Sequence, residues 1–139
     1  MLDQIAAPRS RVDVPSAMTL RVTATAEATV VAVRGEIDLP ALARLRMRLG
    51  DELDLAPRAL VLDLTGVVFC GAGGITELLV AASEAHVTGV PFAIAAPGRA
   101  VTRPVRVLGL EQVLPIHRSV EAALEWLAVL PRLRGSGRR

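Results

Sequence analysis

The chain has 139 residues, which is enough for one ordinary domain with a single hydrophobic core. Its apolar fraction of 52% is spread over short runs, and none approaches the ~20 consecutive apolar residues that a membrane span requires. The formal net charge is +2, but four arginines lie in residues 131–139, so the remainder of the chain carries −2. That balance, together with 2% aromatic residues and no tyrosine, argues against a nucleic-acid-binding surface.

The first 17 residues contain Pro8 and Pro15 and no sustained hydrophobic period, so we expect residues 1–17 to form a flexible leader. They show no apolar segment of the kind found in secretory signal peptides. A single cysteine, Cys70, excludes an internal disulfide and is compatible with a reducing cytoplasm, where we expect the protein to act. The domain itself is predicted to begin near Met18.

Two strands open the predicted domain. Apolar and polar residues alternate over residues 20–24, and residues 29–33 form a β-branched run. The connection between them is short, so we expect an antiparallel pair. Residues 35–40 then turn the chain into a first helix, with Asp38 as its N-cap and Pro40 in its first turn. The apolar face of that helix is predicted to consist of Leu42, Leu45, Leu49 and Leu53.

Residues 59–89 are predicted to organise the chain as a strand, a turn, a glycine-rich connection and a helix. The strand is expected to break at residues 63–66, where the side chain of Asp63 would fix a turn, and then to resume. The helix has an apolar face with i, i+3, i+4, i+7 spacing and is expected to expose Thr76 and Glu77. Its first backbone N–H groups have no partner inside the helix and lie beside residues with almost no side chains. We call this connection, residues 71–74, the glycine elbow; it contains Gly71, Ala72, Gly73 and Gly74.

Three further units follow the second helix. Residues 91–95 predict a strand, and residues 101–108 predict a third helix in which Pro104 either causes a kink or lies in the first turn. Residues 113–116 predict a short strand whose proline restricts it to an edge of the sheet. Ser119 is then expected to cap a final helix.

The predicted element order is β-β-α-β-α-β-α-β-α. Strands that are separated by helices favour a mainly parallel sheet with right-handed crossovers. We therefore predict a single α/β domain at residues 18–130, with a five-stranded sheet and about four helices. Residues 131–139 are predicted to form a flexible, arginine-rich tail.

Three segments resemble the STAS domain of bacterial anti-sigma factor antagonists. They are VAVRGEIDL at residues 31–39, ALVLDLTGVVFCGAGG at residues 59–74 and LGLEQVL at residues 108–114. The resemblance implies a small, cytoplasmic, STAS-like domain that binds an anti-sigma factor of the serine-kinase, ATP-binding type. Through that partner it would regulate a sigma factor and hence transcription, without being an enzyme. The resemblance leaves the oligomeric state open.

The glycine elbow departs from the family pattern at the position of the phosphorylation switch. The family usually reads Asp-Ser-Ser-Gly or Asp-Ala-Ser-Gly, and the anti-sigma factor phosphorylates the second serine. Setting the final glycine on Gly74 puts the aspartate position at Gly71, the first serine at Ala72 and the phospho-acceptor at Gly73. Because Gly73 has no hydroxyl, we expect an antagonist that is always competent to bind.

Other interpretations of the elbow are open. The phosphorylation site could be displaced to Thr76 or to Thr65. The domain could instead be a scaffold, like the STAS subunit of bacterial lipid-transport ABC complexes. A phosphorylated ligand could also bind at the helix N-terminus in place of the lost phosphoserine. A dinucleotide fingerprint is not matched, because its third glycine would have to replace Thr76.

The remaining chemically capable residues favour structural roles. Cys70 ends a strand beside the elbow, where a small buried hydrophobic residue is a simpler interpretation than a redox sensor. His86 and His117 have no metal-ligand spacing, so we expect no metal or cofactor. Glu36 and Asp38 are better explained as a surface turn residue and a helix cap than as a pair for acid–base catalysis.

The predicted partner-binding surface combines the elbow, the exposed side of the helix that follows it and the turn after the second strand. Its residues are Glu36, Asp38, Gly71, Ala72, Gly73, Gly74, Thr76 and Glu77. We expect no exposed aromatic anchor on this surface and therefore transient binding.

Overall fold

The computed structural model describes residues 17–137, and it contains five strands, four α-helices and a short 3-10 helix at Leu39–Ala41. The strands are β1 Met18–Ala24, β2 Thr29–Ile37, β3 Leu60–Cys70, β4 Phe92–Ala95 and β5 Ile116–His117. The helices are α1 Leu42–Asp54, α2 Ala72–Thr88, α3 Arg99–Val107 and α4 Val120–Gly137. Within residues 17–137, none of the helices has the length and apolar character needed to cross a membrane. Most of the predicted leader, residues 1–16, and the last two residues of the predicted tail lie outside the described residues.

The five strands form one sheet in the order β1-β2-β3-β4-β5. β1 runs antiparallel to β2, whereas β2, β3, β4 and β5 are mutually parallel. This topology confirms the predicted α/β domain with a mainly parallel five-stranded sheet and four helices. Because parallel strands all end at the same side of a sheet, the segments after β2, β3, β4 and β5 meet at one edge, which we call the carboxyl edge.

Alternation of side chains along β3 divides the core into two parts. Leu60 and Leu62 belong to the larger hydrophobic cluster, which also includes buried residues of α1, α2 and α3. Val61 points the other way and packs with Ala123 and Leu127 of α4. Helices α1 to α3 therefore cover one face of the sheet, and α4 covers part of the other.

β3 is one continuous strand of 11 residues, so the break predicted at residues 63–66 is wrong. Asp63 Oδ1 does accept a hydrogen bond from the N–H of Thr65 at 3.0 Å, but the chain stays extended around it. Pairing with β2 continues as far as Cys70, with register shifts along the way. β4 pairs with β3 only up to Asp63, so residues 64–70 extend past β4 alongside β2.

β2 has a special conformation near its end. Gly35 has a φ of +95°, a value that residues with side chains rarely adopt, and a Cβ at this position would collide with the carbonyl oxygen of Ala17. The N–H of Glu36 donates a hydrogen bond to that same carbonyl at 3.3 Å. Ala17 is therefore held at the carboxyl edge, next to the end of β2.

Several ends of elements differ from the predicted ones. β2 continues to Ile37, α2 begins at Ala72 instead of Ile75, β5 is Ile116–His117, and α4 continues past Pro131 to Gly137. Pro104 lies inside α3, beyond its first turn. The predicted cap of α4 is confirmed, because Ser119 Oγ accepts a hydrogen bond from the N–H of Ala122 at 3.0 Å.

Candidate partner-binding site

The glycine elbow joins β3 to α2 at the carboxyl edge. Gly71 has an extended backbone, and its N–H donates to the carbonyl of Ile37 at 3.1 Å, which holds the elbow against the end of β2. The carbonyl of Gly71 accepts a hydrogen bond from the N–H of Ile75 at 3.2 Å and so begins the helix. No side chain caps α2. The first N–H groups of a helix have no partner inside the helix, and in α2 these groups lie at the elbow.

Close packing explains why two of the elbow positions are glycine. A Cβ on Gly74 would lie 2.7 Å from Sγ of Cys70 and 2.8 Å from Cγ2 of Ile37, both of which are buried. A Cβ on Gly73 would lie 2.6 Å from Cδ1 of Leu42, a half-buried residue at the start of α1. Position 73 therefore has no room for a side chain unless Leu42 moves.

A groove of about 330 Å³ lies between the elbow and the segment that follows β2, and we call it the elbow groove. Its lining comprises Ile37, Asp38, Leu39, Leu42, Phe69, Gly71, Ala72, Gly73 and Gly74. Five of the predicted site residues are among them. Glu36, another predicted residue, is exposed and pairs with Phe69 in the register of β2 and β3, so it lies beside the groove.

Two predicted polar residues lie close to the groove. Asp38 occupies the N-cap position of the 3-10 helix, but its side chain makes no capping hydrogen bond, so the capping role predicted for it is wrong. Instead, the backbone carbonyl of Asp38 accepts a hydrogen bond from the N–H of Ala41 at 2.9 Å. Thr76 is exposed on the first turns of α2, and its hydroxyl donates to the carbonyl of Ala72 at 3.2 Å.

Glu77 is not exposed, contrary to the prediction. Its side chain is 8% exposed and accepts two hydrogen bonds from the guanidinium of Arg46 on α1, at 2.9 Å to Oε1 and 2.8 Å to Oε2. These hydrogen bonds and the charge of Glu77 raise the pKa of Arg46 above its ordinary value. Glu77 therefore connects α2 to α1 and does not belong to the surface that a partner can reach.

Two exposed apolar residues that line the elbow groove are absent from the predicted site. Leu39 and Phe69 are 81% and 50% exposed, and we call them the apolar rim. A Cβ on Gly71 would lie 3.6 Å from ring carbons of Phe69, so this ring lies against the elbow. The expectation of no exposed aromatic anchor is therefore wrong. The sequence does contain a signal for the exposure of Phe69. Residues 67–69 are all apolar, and consecutive residues of a strand cannot all face one core.

The titratable groups near the elbow do not form a reactive site. Cys70 is buried, and burial raises the pKa of its thiol to about 11. This agrees with the interpretation of Cys70 as a small buried hydrophobic residue. Across residues 17–137, the structure contains no group of three or more His, Cys, Asp or Glu residues that could hold a metal ion.

Comparison with known proteins then identifies the family of this chain. The family model of the STAS domain matches residues 19–123. The chain belongs to the STAS domain family. This STAS domain is 33% identical over 110 residues to the anti-sigma-F factor antagonist RsfB of Mycobacterium tuberculosis, an alignment that spans 79% of this chain and 89% of RsfB.

Solved structures agree with this assignment. The anti-sigma factor antagonist from Mycobacterium paratuberculosis superposes on this STAS domain with a TM-score of 0.73 and 29% sequence identity, covering 82% of this chain and 97% of that one. The anti-sigma factor antagonist SpoIIAA, solved in its unphosphorylated form, has a TM-score of 0.63 and 18% identity, covering 84% of this chain and 97% of SpoIIAA. At that lower identity the likeness shows a shared fold alone. The relatives of this STAS domain include anti-sigma factor antagonists.

Proposed function

We propose that this STAS domain is an anti-sigma factor antagonist that acts in the cytoplasm by binding an anti-sigma factor of the serine-kinase, ATP-binding type. Binding would release a sigma factor and so regulate transcription, with no catalytic step by this chain. The similarity to RsfB supports the antagonist activity. The apolar rim is the main reason to place the partner-binding surface at the elbow groove. Exposed apolar side chains beside a groove are typical of a protein–protein contact.

Binding by this surface would be constitutive, because the usual acceptor of the phosphate is replaced by Gly73. A phosphoserine adds a charge of about −1.5 to −2 and three strong hydrogen-bond acceptors. Gly73 has no hydroxyl to modify, and Cδ1 of Leu42 occupies the space that a side chain there would enter. The abundance of the antagonist, in place of its phosphorylation, would then set how much anti-sigma factor is bound.

The charges around the elbow groove favour a protein partner over a phosphorylated small molecule. Among the residues that line the groove there is no lysine or arginine, and Asp38 contributes a carboxylate. Glu36, also exposed, adds a second carboxylate beside Phe69. An anion would meet two negative charges here, whereas a partner with an apolar patch and basic neighbours would be complementary.

The proposal is tested by an affinity pull-down from the native cytoplasm, followed by titration of the recovered partner. Wild type is compared with Gly73→Asp, which restores a side chain and a negative charge at the phospho-acceptor position. Gly50→Asp is the matched control, because it adds the same charge on α1 at a place where a new Cβ meets no atom within 4 Å. We expect a kinase-type anti-sigma factor that binds wild type and Gly50→Asp equally and binds Gly73→Asp at least about tenfold more weakly.

Other outcomes separate the competing interpretations. Recovery of an ABC ATPase without an anti-sigma factor would contradict the proposal and favour the scaffold function. Stoichiometric phosphorylation of Thr76 or Thr65 by the recovered kinase, with loss of binding, would contradict constitutive activity while leaving the antagonist function intact. Equal affinity of Gly73→Asp and Gly50→Asp would show that the elbow lies outside the interface.

A further inference from the structure

The chain enters the domain beside the elbow groove. The N–H of Glu36, a residue exposed next to the groove, donates a hydrogen bond to the carbonyl of Ala17 at 3.3 Å. Nη1 of Arg44 on α1 donates a second hydrogen bond, to the carbonyl of Met18 at 3.0 Å. The first residue of α1 is Leu42, which lines the groove. The chain ahead of Ala17 therefore starts next to the wall of the groove that the end of β2 and the start of α1 supply.

The chain ahead of Ala17 is long enough to lie across this groove. Neighbouring strands are about 4.8 Å apart, so the distance from β1 to β3 is about 10 Å. An extended chain spans about 3.3 Å per residue, so three or four residues cover that distance. Residues 1–16 precede Ala17 in the sequence, and this length is sufficient to cross the groove with residues to spare.

Residues 9–14 match the groove in chemical character. This segment reads RSRVDV, so its two valines alternate with polar residues and share one side of the segment when it is extended. Arg9 and Arg11 supply two positive charges against one negative charge at Asp13, which leaves a net charge of +1. The residues that line the groove include a carboxylate and no lysine or arginine. The segment therefore combines apolar side chains with the charge that is complementary to the groove.

Covalent attachment favours this segment over a separate molecule. A segment joined to its site by a short linker has an effective concentration on the order of 1 mM there. A contact with a dissociation constant of about 1 mM would then fill the groove about half of the time. A second copy of the chain would have to reach a similar concentration to do the same.

We propose that residues 9–14 of this chain dock in the elbow groove. The two valines would lie against the apolar rim, and the two arginines would face the carboxylates of Glu36 and Asp38. The regulatory meaning of this contact rests on the proposed function, because the segment would compete with the anti-sigma factor for the same surface. A groove that is filled half of the time reduces the apparent affinity for a partner about twofold. The antagonist would thus be attenuated by its own chain, without phosphorylation.

The test is an NMR comparison of full-length variants without a partner, so its outcome does not depend on the proposed function. Wild type is compared with Arg9→Glu/Arg11→Glu, and Arg9→Lys/Arg11→Lys, which keeps both positive charges, is the matched control. The amide resonances of Phe69 on β3 and Gly73 at the elbow should shift in the charge-reversed variant and stay near their wild-type positions in the lysine variant. The amide resonance of Gly89, at the opposite end of α2, should not shift in either.

A synthetic peptide of residues 1–16 then tests the contact directly. Added to the charge-reversed variant, it should return the Phe69 and Gly73 resonances toward their wild-type positions, with a dissociation constant on the order of 1 mM. The same peptide with glutamate in place of both arginines should have no effect.

Two results would overturn the docking of residues 9–14. One is an unchanged position of the Phe69 and Gly73 resonances in the charge-reversed variant. The other is a set of wild-type positions that depends on protein concentration, because a second copy of the chain would then occupy the groove. Either result leaves the proposed function intact if an anti-sigma factor still binds at the elbow. Conversely, the expected shifts without recovery of an anti-sigma factor would support the docking and contradict the proposed function.

Discussion

The guanidinium of Arg46 on α1 donates two parallel hydrogen bonds to the carboxylate of Glu77 on α2, at 2.9 and 2.8 Å. The two partners are unequally exposed, since the side chain of Arg46 is 61% exposed and that of Glu77 only 8%. The pair joins the two helices that flank the elbow groove. It therefore contributes to the position of α2, and with it to the position of the glycine elbow.

The unequal exposure predicts unequal effects of mutation. Arg46→Ala leaves a largely buried carboxylate without its partner, whereas Glu77→Gln leaves an exposed guanidinium and a neutral amide that still accepts one hydrogen bond. We expect Arg46→Ala to lower Tm more than Glu77→Gln does, as measured by thermal unfolding at low salt. Arg48→Ala, an exposed arginine on the same helix, is the control and should change Tm little. A larger loss for Glu77→Gln would contradict this account.

The two inner glycines of the elbow should tolerate alanine differently. Gly74→Ala would place its methyl group against Sγ of Cys70 and Cγ2 of the β-branched Ile37, and should reduce the free energy of unfolding by about 1–3 kcal/mol. Gly73→Ala meets only the end of the Leu42 side chain, which can rotate, and it gains helix propensity of about 1 kcal/mol. Urea denaturation should therefore show a much smaller change for Gly73→Ala. Comparable losses for the two variants would mean that Leu42 cannot move.

The apolar rim should contribute more to partner binding than exposed leucine does elsewhere. Leu39 and Leu55 are 81% and 75% exposed, but only Leu39 lies beside the elbow groove. Titration with the recovered anti-sigma factor should show about a fivefold or greater loss of affinity for Leu39→Ala and no change for Leu55→Ala. Phe69→Ala should lose still more, because aromatic residues are frequent hot spots. Equal affinities for all three variants would show that the interface does not include the apolar rim.

The buried thiol of Cys70 predicts a loss of stability at high pH. Its pKa is raised from 9.0 to about 11 by burial, so the unfolded chain loses this proton at a lower pH than the folded protein does. The unfolded state is thereby favoured progressively as the pH rises from about 9 to about 11, and the free energy of unfolding should fall over that range. Cys70→Ala should show a flatter profile there. An identical profile for wild type and Cys70→Ala would indicate that the thiol ionises normally in the folded protein.

The same shift predicts slow alkylation of Cys70. A difference of about two pH units in pKa reduces the thiolate fraction about a hundredfold near neutral pH. Iodoacetamide should therefore react with the folded protein at least about a hundredfold more slowly than with the chain in urea. Rapid modification of the folded protein would instead support a redox role.

The sequence predicted the parts of the fold that depend on local hydrophobic periodicity. The apolar faces of α1 and α2 were predicted from their spacing, and Leu45, Leu49 and Leu78 are indeed buried. The predicted break in β3 was wrong because turn propensity at Asp63 is a local signal, whereas pairing with β2 continues beyond it. The existence and order of the strands and helices were therefore predictable from sequence, whereas the residues at which they begin and end were less predictable.

The candidate site was predictable in its backbone and less so in its side chains. Glycine spacing and strand order place the elbow at the carboxyl edge, but the burial of Glu77 depends on Arg46, which lies 31 positions away in the chain. No local pattern reports such a pairing. The exposure of Phe69 similarly depends on β4 ending its pairing at Asp63, a tertiary feature that periodicity does not contain.

The contact between Ala17 and Glu36 has a practical consequence for fusion proteins. Ala17 is held at the carboxyl edge, so a purification tag or fluorescent protein joined directly ahead of it would stand next to the elbow groove. α4 begins at that edge and runs away from it, because Leu127 packs with Ala28 and Ala59 near the starts of β2 and β3. A fusion joined directly ahead of Ala17 would therefore obstruct the proposed anti-sigma factor contact sterically, whereas α4 leads away from that contact.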